Sequence, residues 1–306
     1  MTAVIVLGHL AAVVIAPILV VGVITRVKAR WAGRRGPPLV QLAFDLRRLV
    51  GKDLVRSTTT TAVFAAAPWV VLATALAATL VVPLAGPAPL SFGYDFLLVI
   101  YLWGLGRLAL MLGALDTGSP FEGMGASREA TFGALLEPAV ILTLIALAAA
   151  AEQPSLAGAL AVRPDGPATA ALWLAALVAL TIALQVECAR MPVDDPTTHL
   201  ELTMIHEVMI LDHSGPDLAA VTAGAAIKLA TGVALLAGLL NPMPASAGAA
   251  AVVAGQVGAM LAVAIALGAI EATVARLRLR AISQYLLAAA VASLVAILAT
   301  SWRGLP

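Results

Sequence analysis

An all-α, polytopic membrane protein of about eight transmembrane helices, with an amphipathic helix at the surface, is the fold class that three features of this sequence predict. First, of 306 residues 61% are hydrophobic and 11% charged, with a mean hydropathy of +1.01. A soluble core has no use for that much apolar surface. Second, residues 57–94, 229–270 and 281–302 hold no Asp, Glu, Lys or Arg, and each meets the requirement of roughly 20 apolar residues per bilayer span. Third, these runs are continuous and rich in Ala, Leu and Val rather than alternating in polarity, which excludes a transmembrane barrel and leaves helices to satisfy the backbone in lipid. These spans make DNA-binding and soluble-enzyme classes drop out, while the net charge of +1 says nothing about a polyanionic partner, since the information lies in where the charges sit.

The chain reads as a single integral membrane domain, 1–306, with spans near 3–25, 60–84, 93–115, 131–151, 168–187, 216–240, 249–271 and 281–301. The first has neither a basic leader nor a small-residue cleavage site, so it is expected to be a retained helix. Between it and the second lies a loop, 26–59, with nine basic residues, Arg26 to Arg56. After Pro37 and Pro38 this loop carries Leu39, Leu42, Ala43, Leu46, Leu49 and Val50 on one helical face, with Gln41, Asp45, Arg48 and Lys52 opposite. That pattern predicts an amphipathic helix at the membrane surface, floating on lipid or holding a partner. Pro83, Gly86, Pro87 and Pro89 end the second span, Pro164, Gly166 and Pro167 precede the fifth, and Asn241, Pro242 and Pro244 follow the sixth. Pro68 and Pro138 fall inside spans and are expected to kink them. Lys and Arg concentrate on one side, fourteen against Arg163 and Arg303 on the other. The asymmetry predicts both termini outside and the basic loops in the cytoplasm.

The third cytoplasmic loop, 188–216, is acidic and histidine-bearing: Asp194, Asp195, His199, Glu201, His206, Glu207, Asp212 and His213. Thr198 and Glu201 form a capping-box pair, which predicts a helix start near His199. His206-Glu207 would begin a zinc-protease H-E-x-x-H, but the second histidine position is Ile210, and that reading fails. A solvated helix end explains lone histidines in most proteins, and their spacing alone does not displace that reading. Cys188 is the only cysteine; one thiol can neither ligate an iron–sulfur cluster nor close an internal disulfide. Of four histidines only His9 lies well inside a span, too few for a membrane haem. No metal or bound cofactor is expected in this chain.

Charges inside spans are informative, because each costs about 2.5–3.5 kcal/mol near the bilayer centre unless paired or wet. Arg107, Glu137 and Lys228 are the candidates, with a structural ion pair as the alternative to function. Glu137 precedes Pro138, whose missing N–H frees a carbonyl for water, and a carboxyl at such a kink suits proton transfer. Glu187, Glu271 and Asp95 lie near helix ends and are expected to snorkel. Gly104-Leu-Gly106 sits in an apolar span and suits close helix packing rather than nucleotide binding.

Three stretches together resemble a known superfamily: 34–53 (RRGPPLVQLAFDLRRLVGKD), 114–130 (ALDTGSPFEGMGASREA) and 187–215 (ECARMPVDDPTTHLELTMIHEVMILDHSG). The first is similar to the first cytoplasmic loop of the complex I subunit 1 superfamily. The other two resemble the membrane subunit of group 4 nickel–iron hydrogenases, of the formate hydrogenlyase subunit 4 and hydrogenase-4 component C kind. The resemblance implies a non-redox anchor in the cell inner membrane. It would dock nickel–iron hydrogenase large and small subunits and an iron–sulfur subunit, join antiporter-like membrane subunits, and link electron transfer to proton or sodium translocation. By motif position it assigns partner docking to Arg34, Arg35, Asp45, Arg47, Arg48, Asp116, Glu129, Asp194, Asp195, His199, His206 and Asp212. Glu137, Glu187, Glu201 and Glu207, with Arg107 and Lys228, fall to the proton path or coupling. Two departures stand out: Met191-Pro192-Val193-Asp194-Asp195-Pro196 replaces the Phe-Asp-Leu-Pro-type loop of quinone-binding relatives, and Glu122 replaces a small residue. The alternatives are a quinone-site subunit of an NADH dehydrogenase and a stand-alone secondary transporter around Arg107, Glu137 and Lys228.

Overall fold

The computed structural model describes residues 3–194 and 204–302. Among the described residues there is no strand, and eight helices are long and apolar enough to span a bilayer: α1 (Ala3–Trp31), α3 (Ala62–Thr79), α4 (Asp95–Asp116), α5 (Pro120–Ala151), α7 (Pro167–Glu187), α8 (Gly215–Leu240), α9 (Ala249–Thr273) and α10 (Leu279–Trp302). The surface helix is α2 (Gln41–Val50), and a one-turn α6 (Leu156–Ala159) lies between α5 and α7.

Helix α8 is the centre of the bundle. It packs on α3, α9, α1, α2 and α7, while α10 closes against α7 and α5, and α4 lies between α3 and α5. Because lipid tails are as apolar as leucine, such helices associate through close packing at small residues. A Cβ at Gly106 on α4 would lie 2.6 Å from the Thr74 hydroxyl on α3, and one at Gly224 on α8 would press 3.2 Å from the α3 backbone at Leu72. Expected packing at Gly106 is thus observed, and Pro68 and Pro138 lie within α3 and α5, as does Pro17 within α1.

Helix ends are fixed by local chemistry. Helix α1 runs past the expected residue 25 and closes at Gly33 (φ +70°), where Gly33 and Arg34 N–H groups donate to the Arg30 and Ala29 carbonyls. The Thr61 hydroxyl accepts from the Val63 N–H, and the Asp116 carboxylate accepts from the N–H of Thr61 (2.6 Å) and Phe64 (3.2 Å). The C-terminus of α4 thereby caps the N-terminus of α3. Arg56 forks onto Asp217 at 2.8 and 3.1 Å, with the Trp69 indole donating to the same carboxylate at 3.2 Å. Helix α5 begins with Pro120 at its first turn, eleven residues before the expected start at 131. Its 32 residues make about 48 Å of helix, beyond the roughly 30 Å of hydrocarbon.

Candidate functional site

Four helices bring their charged side chains to one place. Arg107 projects from α4, Glu129 and Glu137 from α5, Glu187 from the last turn of α7 and Lys228 from α8. Arg107 donates through Nη1 to Glu187 Oε1 at 2.5 Å and through Nη2 to Glu137 Oε1. Lys228 Nζ lies 2.5 Å from Glu187 Oε2. The three charges expected inside spans are therefore joined through Glu187, in the order Glu137, Arg107, Glu187, Lys228.

The backbone is built to admit this chain. A Cβ at Gly133 on α5 would lie 2.6 Å from the Arg107 guanidinium carbon, so only glycine leaves the guanidinium its seat. Trp103, one turn before Arg107, places its ring 5.7 Å from the Lys228 ammonium, within reach of a cation–π attraction. Its indole N–H is buried, with no acceptor among the described residues.

A cavity of about 200 Å³ opens beside these groups, lined by Trp103, Arg107, Glu129, Glu187, Lys228 and the loop residues Cys188, Arg190, His206 and Glu207. Leu42 of α2 also reaches its wall. A second cavity of about 30 Å³ lies between Trp103, Glu137 and Glu187, room for about one water. Charged loop residues at one end and paired carboxylates deeper in the bundle suit proton or cation movement. Burial lifts the Glu207 carboxyl to about 7, with Asp194 adding to the effect, and burial depresses His206 to about 4, helped by Lys228. Burial also raises the Cys188 thiol to about 12, so it is a neutral lining group at neutral pH. Among the described residues no three His, Cys, Asp or Glu side chains converge on a metal position.

The proposed site residues divide into several groups. Arg34, Arg35, Arg47, Arg48 and Asp212 are exposed, and Asp45 is bound to Arg48 at 3.2 Å. Asp116 is committed to capping α3. Glu129 and Asp194 are buried, which corrects their assignment to a docking surface. Glu129 lines the cavity. Asp194 binds Arg276 at 2.9 Å and accepts from the Ile205 and His206 N–H groups at 3.0 and 3.1 Å, folding its own loop. His206 lines the cavity. Asp195, His199 and Glu201, and the helix start near His199, lie outside the described residues.

The snorkelling expected of three acids is also corrected. Asp95 is buried and accepts from the Leu156 N–H at 2.6 Å. Glu271 takes both prongs of Arg190, at 2.6 and 3.0 Å, and Lys28 at 3.0 Å, so internal partners hold it in place of water. The Glu187 side chain is 7% exposed between its two cations. Glu122 is buried, with neither carboxyl oxygen hydrogen-bonded among the described residues, and nothing in the structure explains the charge there. Trp103 was not legible as part of the site. The signal for it was its position four residues before Arg107, on the same face of α4.

The profile of the family described as NADH dehydrogenase matches residues 3–301. The chain belongs to the NADH dehydrogenase family. Within this family it is similar to hydrogenase-4 component C of Escherichia coli (strain K12), at 34% identity over 228 residues, covering 73% of this chain and 70% of that protein. It is also similar to formate hydrogenlyase subunit 4 of the same organism, at 31% identity over 224 residues, covering 72% and 71%. Among solved structures, a chain of the membrane-bound sulfane sulfur reductase, described as an archaeal respiratory membrane complex, shares the NADH dehydrogenase family member's fold. Its TM-score is 0.78 at 19% identity, covering 96% of this chain and 97% of that one.

Proposed function

We propose that this chain is the membrane anchor and coupling subunit of a group 4 hydrogenase or formate hydrogenlyase-like complex. It docks the soluble redox arm and links electron transfer to proton or sodium translocation. The observation that carries this reading is the pair of hydrogenase-type relatives, each above 30% identity over about seven-tenths of both chains. The buried charges give the reading its mechanism. Oxidation or reduction in the docked arm changes the potential at the loop carrying His206 and Glu207, and protonation shifts through Glu187 toward Glu137. The nickel–iron centre and iron–sulfur clusters belong to partner subunits, in keeping with a single cysteine here. The partners are hydrogenase large and small subunits, an iron–sulfur subunit and antiporter-like membrane subunits. The basic loop and α2 face the cytoplasm, and both termini face out, as the Lys and Arg asymmetry favours.

Purification through a tag on this chain in mild detergent, with mass spectrometry and a hydrogen-evolution assay on the same sample, tests the reading. Nickel–iron and iron–sulfur subunits with hydrogen activity are expected. NADH-oxidising, quinone-reducing partners would replace it with the NADH dehydrogenase alternative, and a chain that purifies alone would leave the transporter. In the assembled complex, Glu137→Gln is expected to reduce ion movement more than hydrogen evolution. Equal retention of both removes Glu137 from the path.

A further inference from the structure

Glu137 stands nine residues from Arg128 and fourteen from Ala151 on α5, roughly 14 and 21 Å of helix, and therefore deep in the bilayer. Yet 37% of its side chain is exposed, against 7% for Arg107 and for Glu187. The cavity behind it, with room for about one water, is too small to account for that exposure. Glu137 opens outward from the chain. It rests against Gly104 of α4, 3.3 Å from a Cβ placed there. Exposed Tyr101, Leu105 and Leu108 flank Gly104 on the outward side of α4. Arg107 occupies Oε1, and no donor among the described residues reaches Oε2.

Among the described residues the one cation at Glu137 is Arg107, and Arg107 is shared with Glu187. Hydrocarbon offers neither a donor nor a countercharge, and headgroups lie too far along the helix to supply one. The outward face of α10 makes the contrast: Leu287, Val291, Leu294 and Leu298 are exposed and apolar, and lipid satisfies them.

We propose that the α4–α5 face around Glu137 is an interface inside the membrane, covered by a transmembrane helix of a second protein that carries a Lys or Arg side chain to Glu137 Oε2. The partner supplies a charged donor to the second carboxylate oxygen and removes it from lipid, and its helix packs on the leucines beside it. This deepens the reading of the chain as one subunit of a membrane complex, and it names the chemistry of the neighbour at that site.

The test uses the intact complex in native membranes. A benzoylphenylalanine photocrosslinker is placed at Leu108 and, separately, at Leu105, both exposed on α4 and outside the charge cluster. Membranes are illuminated before solubilisation, and adducts are mapped by mass spectrometry. Both positions are expected to capture the same membrane protein, in a helix with a Lys or Arg within about one turn of the adduct. Adducts with lipid alone, or with a helix lacking a basic residue, overturn the proposal. Hydrogenase subunits are scored in the same preparation, so failure of this interface and failure of the hydrogenase reading are seen separately.

Discussion

Arg107 pairs with two carboxylates at once, and its removal would leave Glu137 without a cation and Glu187 with Lys228 alone. Breaking a buried pair in this way costs about 3–5 kcal/mol. Arg107→Ala is therefore expected to lower the thermal midpoint of the protein in nanodiscs strongly. Arg107→Lys should lie between the two, since an ammonium cannot fork to partners on two helices. A thermal midpoint unchanged in Arg107→Ala would show that the ion pairs contribute little to stability.

His206 and Glu207 give a second expectation, with opposite signs that cancel. Burial holds Glu207 protonated to about 7, and burial holds His206 neutral down to about 4. Between the unfolded carboxyl value of about 4.3 and the unfolded histidine value of about 6.5, the packed loop binds one proton, on Glu207. The opened loop also binds one, on His206. Stability follows the difference in bound protons, so loop opening is expected to be nearly independent of pH across that window. Glu207→Gln uncovers the histidine: the opened form alone gains a proton, so opening rises as pH falls from 6.5 toward 4. His206→Gln uncovers the carboxyl, and opening rises with pH from about 4.3 toward 7. Hydrogen exchange at Val208 to Ile210 reads these slopes, and identical profiles in the two variants would refute the assignment.

At the scale of elements, α2 shows how far pattern alone carries. Its apolar spacing placed the helix, but not which side would be covered. Leu42 is buried toward α8 and the cavity, whereas Val40, Phe44 and Val50 stay exposed. The link that holds α2 down is a close approach: at Gly22 on α1, any Cβ would run into the Leu39 carbonyl. Gly22→Val should release the 33–50 segment and speed trypsin cleavage after Arg47 and Arg48 several-fold, with the bundle intact by circular dichroism. Unchanged cleavage would show that α2 is held by other contacts. The start of α5 was read as loop for a physical reason. Thr117, Gly118, Ser119 and Pro120 are turn-forming residues, and Glu122, Arg128 and Glu129 break the apolar run. Yet Pro120 suits the first turn of a helix, and helices can continue past the bilayer wherever water satisfies their surface.

For the whole molecule, orientation is a question of charge rather than of packing. Single cysteines in place of Arg48 and of Ser91, in a Cys188→Ser background, should react oppositely with an impermeant maleimide. In intact spheroplasts Ser91→Cys is labelled and Arg48→Cys is protected. The reverse pattern would invert the topology. The sequence by itself determined the solvent of each segment, because hydropathy and charge are sums over neighbours in the chain. Span number, the surface helix and the family follow from such local information. What only the tertiary structure decided is pairing. Glu187 and Glu271 stand at helix ends where snorkelling is cheap, but cations from α4, α8, α1 and the 188–194 loop reach them first. Glu129 and Asp194 sit in acidic stretches that look solvated, yet the bundle turns both inward. A carboxylate's partner depends on which helix lies across from it, and that separation, 80 residues between Arg107 and Glu187, is invisible to any local pattern.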